Sequence, residues 1–262
     1  MTRVFLLALI TVGFAQPSFA DLTLKQTTSG KGLGLSGSAP GTTFIKGNKM
    51  RTDVVFGDKT QTSIYDLDAQ KMYVFDSKKK EADVWDMAAF AAELGKSVDT
   101  SNAKASLKPN GQTKQIGAKD AAGYDVEETV QAAFGGSKDM NITVTLAGPV
   151  WVVKGAPGSA DYGRFYTAAA EKGFIFSDPR AAKAQPGQAR AVADMYKQMA
   201  ATGGIPYAID VQIKMSGSGP MGALLSRMGN VSMAVNVDSA ETTPLADDLF
   251  APPAGYKLNS KQ

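Results

Sequence analysis

Two late stretches of the chain alternate strictly between apolar and polar residues, and they constrain the fold more than any other feature. Ile209, Val211, Ile213 and Met215 are separated by Asp210, Gln212 and Lys214; Val231, Met233, Val235 and Val237 are separated by Ser232, Ala234 and Asn236. A two-residue period sends successive side chains to opposite faces of a strand. These strands therefore predict a sheet with one dry and one wet face, and the dry face needs a cover. Ile142, Val144 and Leu146 show the same pattern earlier.

The first half reads as short strands joined by tight turns. A strand is expected from Leu22 to Thr28, then others over Thr42–Lys46, Met50–Phe56, Gln61–Leu67, Lys71–Phe75 and Glu81–Trp85. Gly47-Asn48, Gly57-Asp58-Lys59, Asp68-Ala69-Gln70 and Lys78-Lys79-Lys80 supply the turns. Short strands punctuated this regularly describe an antiparallel meander. The stretch Asn102–Gly123 is polar and Gly-rich, and reads as a loose loop or hairpin before a strand at Tyr124–Val130. Long contiguous disorder is not expected outside Ser29–Gly41, Ser177–Pro186 and the tail after Tyr256.

Helical spacing interrupts the strands in three places. Asp86 caps a helix carrying Met87, Phe90, Ala91 and Leu94 on one face, with Gly95 as terminator. Ser159 caps a second, with Tyr162, Phe165, Tyr166 and Ala169 as its stripe and Gly173 at its end. A third runs from about Gly187 to Ala201 with Val192, Met195, Tyr196 and Met199, and Gly203-Gly204 and Pro206 stop it. The expected architecture is α+β: a curved antiparallel sheet, a half-open β-barrel, with three or so helices packed on its inner face.

The first twenty residues carry a basic start at Arg3, an apolar run from Val4 to Phe14, and small residues at Ser18 and Ala20. This pattern reads as a signal peptide cleaved after Ala20. The apolar run falls short of the roughly 20 residues that span a bilayer. The expectation is a periplasmic protein without a transmembrane segment, with residues 1–20 as signal and residues 21–262 as a single domain. About 240 residues bury enough surface to fold without staples. The chain has no cysteine and no histidine. Disulfides, a lipid-anchor cysteine, and Ser-His-Asp or Cys-His machinery are therefore excluded, as are the common zinc sites. A formal charge of +3 is too balanced to argue for nucleic acid.

Most motif-like strings have plain structural readings. Gly32-Leu33-Gly34-Leu35-Ser36-Gly37 has the dinucleotide spacing, but Ala39-Pro40-Gly41 follows where a helix would have to start, so a flexible hairpin loop is expected. Ser77-Lys78-Lys79-Lys80 has the spacing of serine–lysine acylases but sits in a lysine-rich turn. Asp66-Leu67-Asp68 lacks the spaced ligands of a calcium loop and reads as a turn. Glu127-Glu128 and Asp247-Asp248 are adjacent pairs whose members point to opposite faces of an extended chain, so neither converges on a substrate. Six methionines (Met195, Met199, Met215, Met221, Met228 and Met233) cluster within forty residues. They admit three readings: core packing, an adaptable lining for lipid, or Cu(I) ligation.

Three stretches, FIKGNKMRTDV (Phe44–Val54), IYDLDAQKMYVFDSKKK (Ile64–Lys80) and DDLFAPPAGYKL (Asp247–Leu258), resemble a largely uncharacterised family of bacterial exported proteins. IPYAIDVQIKM (Ile205–Met215) is similar to that family's late strand. The family in turn resembles the LolA/LolB type of periplasmic lipoprotein carriers. That resemblance implies an unclosed antiparallel barrel whose helices line an apolar cavity, and a cargo of acyl chains. No lipid-handling residue carries over; Arg51 in KMR is a charged candidate on a strand, equally suited to a structural pairing.

The expected function is that of a soluble periplasmic binding protein, not an enzyme, accommodating an acyl chain, lipid or lipoprotein without a cofactor or metal. Burial gains about 0.8 kcal/mol per CH₂, so a dry cavity suffices for affinity. The candidate lining is Met87, Phe90, Leu94, Tyr162, Phe165, Met195, Met199, Ile209, Val211, Ile213 and Met215. The alternative is an envelope-stress sensor or a module binding an envelope protein partner, and a histidine-free hydrolase is the weakest reading. A monomer is expected.

Overall fold

The computed structural model describes residues 21–261 apart from 33–34, 135–136, 177, 185, 218–221, 223–224 and 226–230. The expected signal peptide, Met221 and Met228 lie outside the described residues. In chain order the elements are β1 (Leu22–Gly32), β2 (Leu35–Lys46), β3 (Lys49–Phe56), β4 (Lys59–Asp66), β5 (Lys71–Asp76), β6 (Glu81–Asp86), α1 (Met87–Ser97), β7 (Val98–Ile116), β8 (Lys119–Phe134), β9 (Ser137–Lys154), α2 (Ser159–Glu171), α3 (Pro179–Ala184), α4 (Pro186–Ala200), β10 (Gly204–Gly217), β11 (Val231–Thr242), a 3₁₀ turn at Asp247–Phe250, and β12 (Lys257–Lys261).

Twelve strands form one sheet in the order β12-β6-β5-β4-β3-β2-β1-β11-β10-β9-β8-β7. All neighbours are antiparallel except β12, which runs parallel to β6. The expected α+β class holds, and the sheet is open: β12 and β7 are its two edges and do not pair with each other.

Register explains which residues meet the helices. Leu22, Ile45, Met50, Tyr65, Met72 and Trp85 stand opposite one another across six strands, and all are buried. In the other half Val235, Ile209, Val150 and Tyr124 form the corresponding row. Helices α2 and α4 lie on this face, α4 over β7–β10 and α2 against β2 and β10. Helix α4 begins with Pro186 and is buried on more than one side because it is sandwiched. Met195 and Met199 pack on the β8–β11 cluster, whereas Ala189 and Ala200 join the cluster around α2.

The opposite face is crossed by a strap between β11 and β12. Lys46 Nζ donates to the Leu245 oxygen at 2.5 Å and pairs with Asp247 at 2.8 Å, and the Leu245 amide donates to Asp21 at 2.6 Å. Farther along, Phe250 is buried and Tyr256 meets Phe75 edge-on at 5.7 Å.

Several expectations are corrected. Ser29–Gly41 is hairpin rather than irregular loop, because β1 and β2 pair residue for residue from Leu22↔Ile45 to Gly32↔Leu35. Of the two alternatives for Asn102–Gly123 the hairpin holds: the stretch lies mostly within an extended hairpin of β7 and β8, whose register shifts at Asp99/Lys104 and Pro109/Thr113 absorb its irregular sequence. Described residues of Ser177–Pro186 include α3, and the tail after Tyr256 becomes β12. Helix α1 continues past Gly95 to Ser97. Ser159 is not the cap of α2. Gly158 is, at φ 76°, and the Ser159 hydroxyl instead donates to the Ala156 oxygen at 2.7 Å. Asp86 does cap α1, accepting from the Ala89 amide at 2.9 Å. Gly47, at φ 57°, supplies the left-handed residue that the β2–β3 turn was expected to need.

Candidate functional site

A trough of about 730 Å³ lies at one end of the sheet, where the tips of the β3–β4 and β5–β6 hairpins approach α3. Its apolar wall is Phe56, Val74 and Phe75. Phe56 is the last residue of β3, pairs across the hairpin with Lys59, and is 54% exposed. The volume falls within the range of small-molecule sites.

Charged groups surround this wall, and most of the acids are already engaged. The Asp76 carboxylate accepts from the main-chain amides of Lys78 and Lys79 at 3.1 Å and pairs with the Lys79 ammonium at 3.5 Å. The Lys79 amide leads the causes that hold its carboxyl below the usual range. Glu81 meets Lys257 at 3.8 Å and Asn259 at 3.2 Å, both from β12. Asp83 meets Lys261 at 3.4 Å and Arg180 at 3.9 Å. Arg180 also grips Asp178 at 2.6 Å, which keeps its guanidinium protonated beyond its ordinary range. Asp58, Lys59 and Lys78 line the same trough, and no ion pair joins them to another side chain among the described residues.

The eleven residues expected to line a cavity divide between two packed clusters. Met87, Phe90, Tyr162 and Phe165 are buried in the first, with Leu94 against it; Met195, Met199, Ile209, Val211 and Ile213 are buried in the second, with Met215 against it. Leu94 also borders a cavity of about 70 Å³ between α1, the end of α2 and α4. The first cluster centres on aromatic rings that the sequence pattern did not group. Tyr166 stacks on Tyr196 at 5.0 Å, and both meet Phe176, at 4.9 and 5.2 Å. Burial drives the Tyr162 and Tyr166 phenols well above their ordinary range.

Glu128 is the other group that sequence reasoning passed over. Glu127 is exposed and Glu128 fully buried, so the pair does diverge as expected. Glu128 faces α4, where Gln198 donates to its Oε2 at 3.2 Å; its Oε1 has no hydrogen-bond partner among the described residues. Burial, reinforced by Asp194, pushes the carboxyl up to about 8 against the pull of Arg190 and Gln198. An acidic residue on the dry phase of a strand, between Val126 and Val130, was the available signal.

Other motif residues have structural roles. Asp66 accepts from the amides of Asp68 and Ala69, making the expected turn. Ser77 and Lys80 sit in the exposed β5–β6 turn. Asp247 pairs with Lys46 while Asp248 is exposed. Arg51 binds the Asp53 carboxylate at 3.0 Å and, at 3.2 Å, the Leu249 oxygen. Of the dinucleotide-like string, Leu33 and Gly34 lie outside the described residues, and strands rather than a helix flank them.

No protein-family model matches this chain, and no curated protein matches it at a significant level. Among solved structures it is similar to PNGF-II, with 10% identity over 92% of this chain and a TM-score of 0.35; it spans 31% of that protein's length. It is also similar to a DUF1329 family protein from Desulfovibrio piger ATCC 29098, with 9% identity, 89% of this chain and 90% of that one covered, and a TM-score of 0.25. Overlap this low identifies neither a shared fold nor a shared function.

Proposed function

We propose that this is an exported, periplasmic, non-catalytic binding protein that takes up a ligand with a substantial apolar part, an acyl chain or lipid, through the trough beside Phe56. The observation that carries the reading is a large, half-exposed aromatic side chain set in the wall of a trough of about 730 Å³, which also reaches the buried Val74. An isolated exposed phenylalanine needs no explanation, but one that walls a concavity of ligand size does.

In this reading the sheet is the wall of a half-open barrel and the trough is its mouth. Chain length supports the curvature. Helix α1 joins β6 directly to β7, and its 11 residues reach about 16 Å. The two strands are ten steps apart in the sheet, which is about 48 Å if the sheet is flat. The likeness to LolA/LolB-type carriers enters here as analogy: an unclosed antiparallel barrel with helices lining an apolar cavity that takes acyl chains.

The test is native mass spectrometry of protein exported to a bacterial periplasm and recovered without detergent, alongside titration with the neutral dye Nile red. The expected result is a co-purifying lipid, or saturable dye binding, that Phe56→Ser weakens at least tenfold. An empty protein that binds no dye would overturn the reading.

A further inference from the structure

Resting on that reading, we infer that the trough accepts a monomeric single-chain amphiphile with an anionic head, and that Lys59 and Lys78 select the head. Phe56 and Lys59 are directly opposed across the β3–β4 hairpin, so the same wall offers a ring and an ammonium group. Lys78 projects from the neighbouring β5–β6 turn into the lining. An apolar tail on Phe56 and Val74 would bring its head into reach of either lysine.

The charge balance at the trough decides the sign. Asp76, Glu81 and Asp83 are already committed to Lys79, Lys257, Lys261 and Arg180, with Asn259 satisfying a further oxygen of Glu81. A cationic head would find Asp58 as the carboxylate without an ion pair, beside two lysines in the same condition. An anionic head would find Lys59 and Lys78 and would displace no existing pair. Both lysines remain solvent-accessible, so the preference weakens as salt screens it.

The experiment titrates the protein calorimetrically with dodecanoate and with undecyltrimethylammonium, which share an undecyl tail, each below its micelle threshold. Dodecanoate is expected to bind at least tenfold more tightly. The double variant Lys59→Gln/Lys78→Gln should lose most of that preference by binding dodecanoate more weakly and the cation no less tightly than the parent; near-UV circular dichroism checks that these exposed changes leave the fold intact. Equal affinity for the two probes, or an unaffected double variant, would overturn head selection and leave the apolar-ligand reading standing. Failure of both probes to bind would overturn the two together. Binding to phosphatidylglycerol vesicles without binding of monomeric dodecanoate would overturn the proposal in favour of a bilayer surface.

Discussion

Arg51 on β3 donates through Nη1 to the main-chain oxygen of Leu249 at 3.2 Å, joining two conspicuous sequence motifs that lie 198 residues apart. Its Nε is held by Asp53, which also accepts from Thr62 Oγ1 at 2.6 Å. The arginine is thus aimed by its own sheet before it reaches the strap. Arg51→Ala should cost about 1.5–3 kcal/mol, the worth of a hydrogen bond made by a charged group. Urea denaturation measures the loss, and limited proteolysis should cut first between Thr242 and Lys257. A variant cut no faster there than the parent would contradict the anchoring role.

Glu128 makes stability depend on pH in a direction opposite to ordinary acid denaturation. Its carboxyl holds a proton to about pH 8 when folded, against 4.5 when free. The folded state therefore binds more protons than the unfolded state between these values, and stability declines as pH rises through that window. Glu128→Gln keeps the shape and the contact with Gln198 but removes the titration. The gap in urea midpoint between variant and parent should widen in the variant's favour from pH 5 to pH 9. A constant gap would show that Glu128 ionises freely.

Gly158 caps α2 in a left-handed conformation at φ 76°, and a Cβ placed there would come within 2.5 Å of Leu22 Cδ1. Gly158→Ala combines backbone strain with a clash against a fully buried leucine, so it should destabilise by more than about 1 kcal/mol. Thermal unfolding provides the measurement. A neutral result would place the start of α2 elsewhere.

Met199 is fully buried between α4 and the β8–β11 cluster. Met199→Ala should cost about 2–5 kcal/mol, lost transfer energy plus the cavity left behind. Met199→Leu, which nearly conserves volume, should cost less than about 1.5 kcal/mol. Equal losses for the two substitutions would argue that the thioether itself, rather than packing, is what the site requires.

The meander from β2 to β6 was legible because each hairpin is specified locally: Gly47-Asn48, Gly57-Asp58 and Asp66–Gln70 set the turns, and alternation sets the faces. The stripes on α1, α2 and α4 were legible for the same reason, since three- and four-residue spacing needs no knowledge of the partner. Strand β7 was not, because its residues Lys104–Gln115 are polar and carry Pro109 and Gly111; edge strands need only one paired side and little apolar content. Strand β12 was hidden likewise: KLNSK has no strand pattern and is ordered by pairing with β6.

The chain alone determined the hairpins from β2 to β6, the stripes of α1, α2 and α4, the dry faces of the alternating strands, and the absence of histidine and cysteine chemistry, because those follow from side-chain period and residue identity. Tertiary structure decided that Arg51 reaches Leu249, that Glu128 loses its water beneath α4, and that Phe56 walls a trough with Lys59. Each of these depends on which distant surfaces come together, and burial or exposure at such junctions is set by packing, which no local spacing encodes.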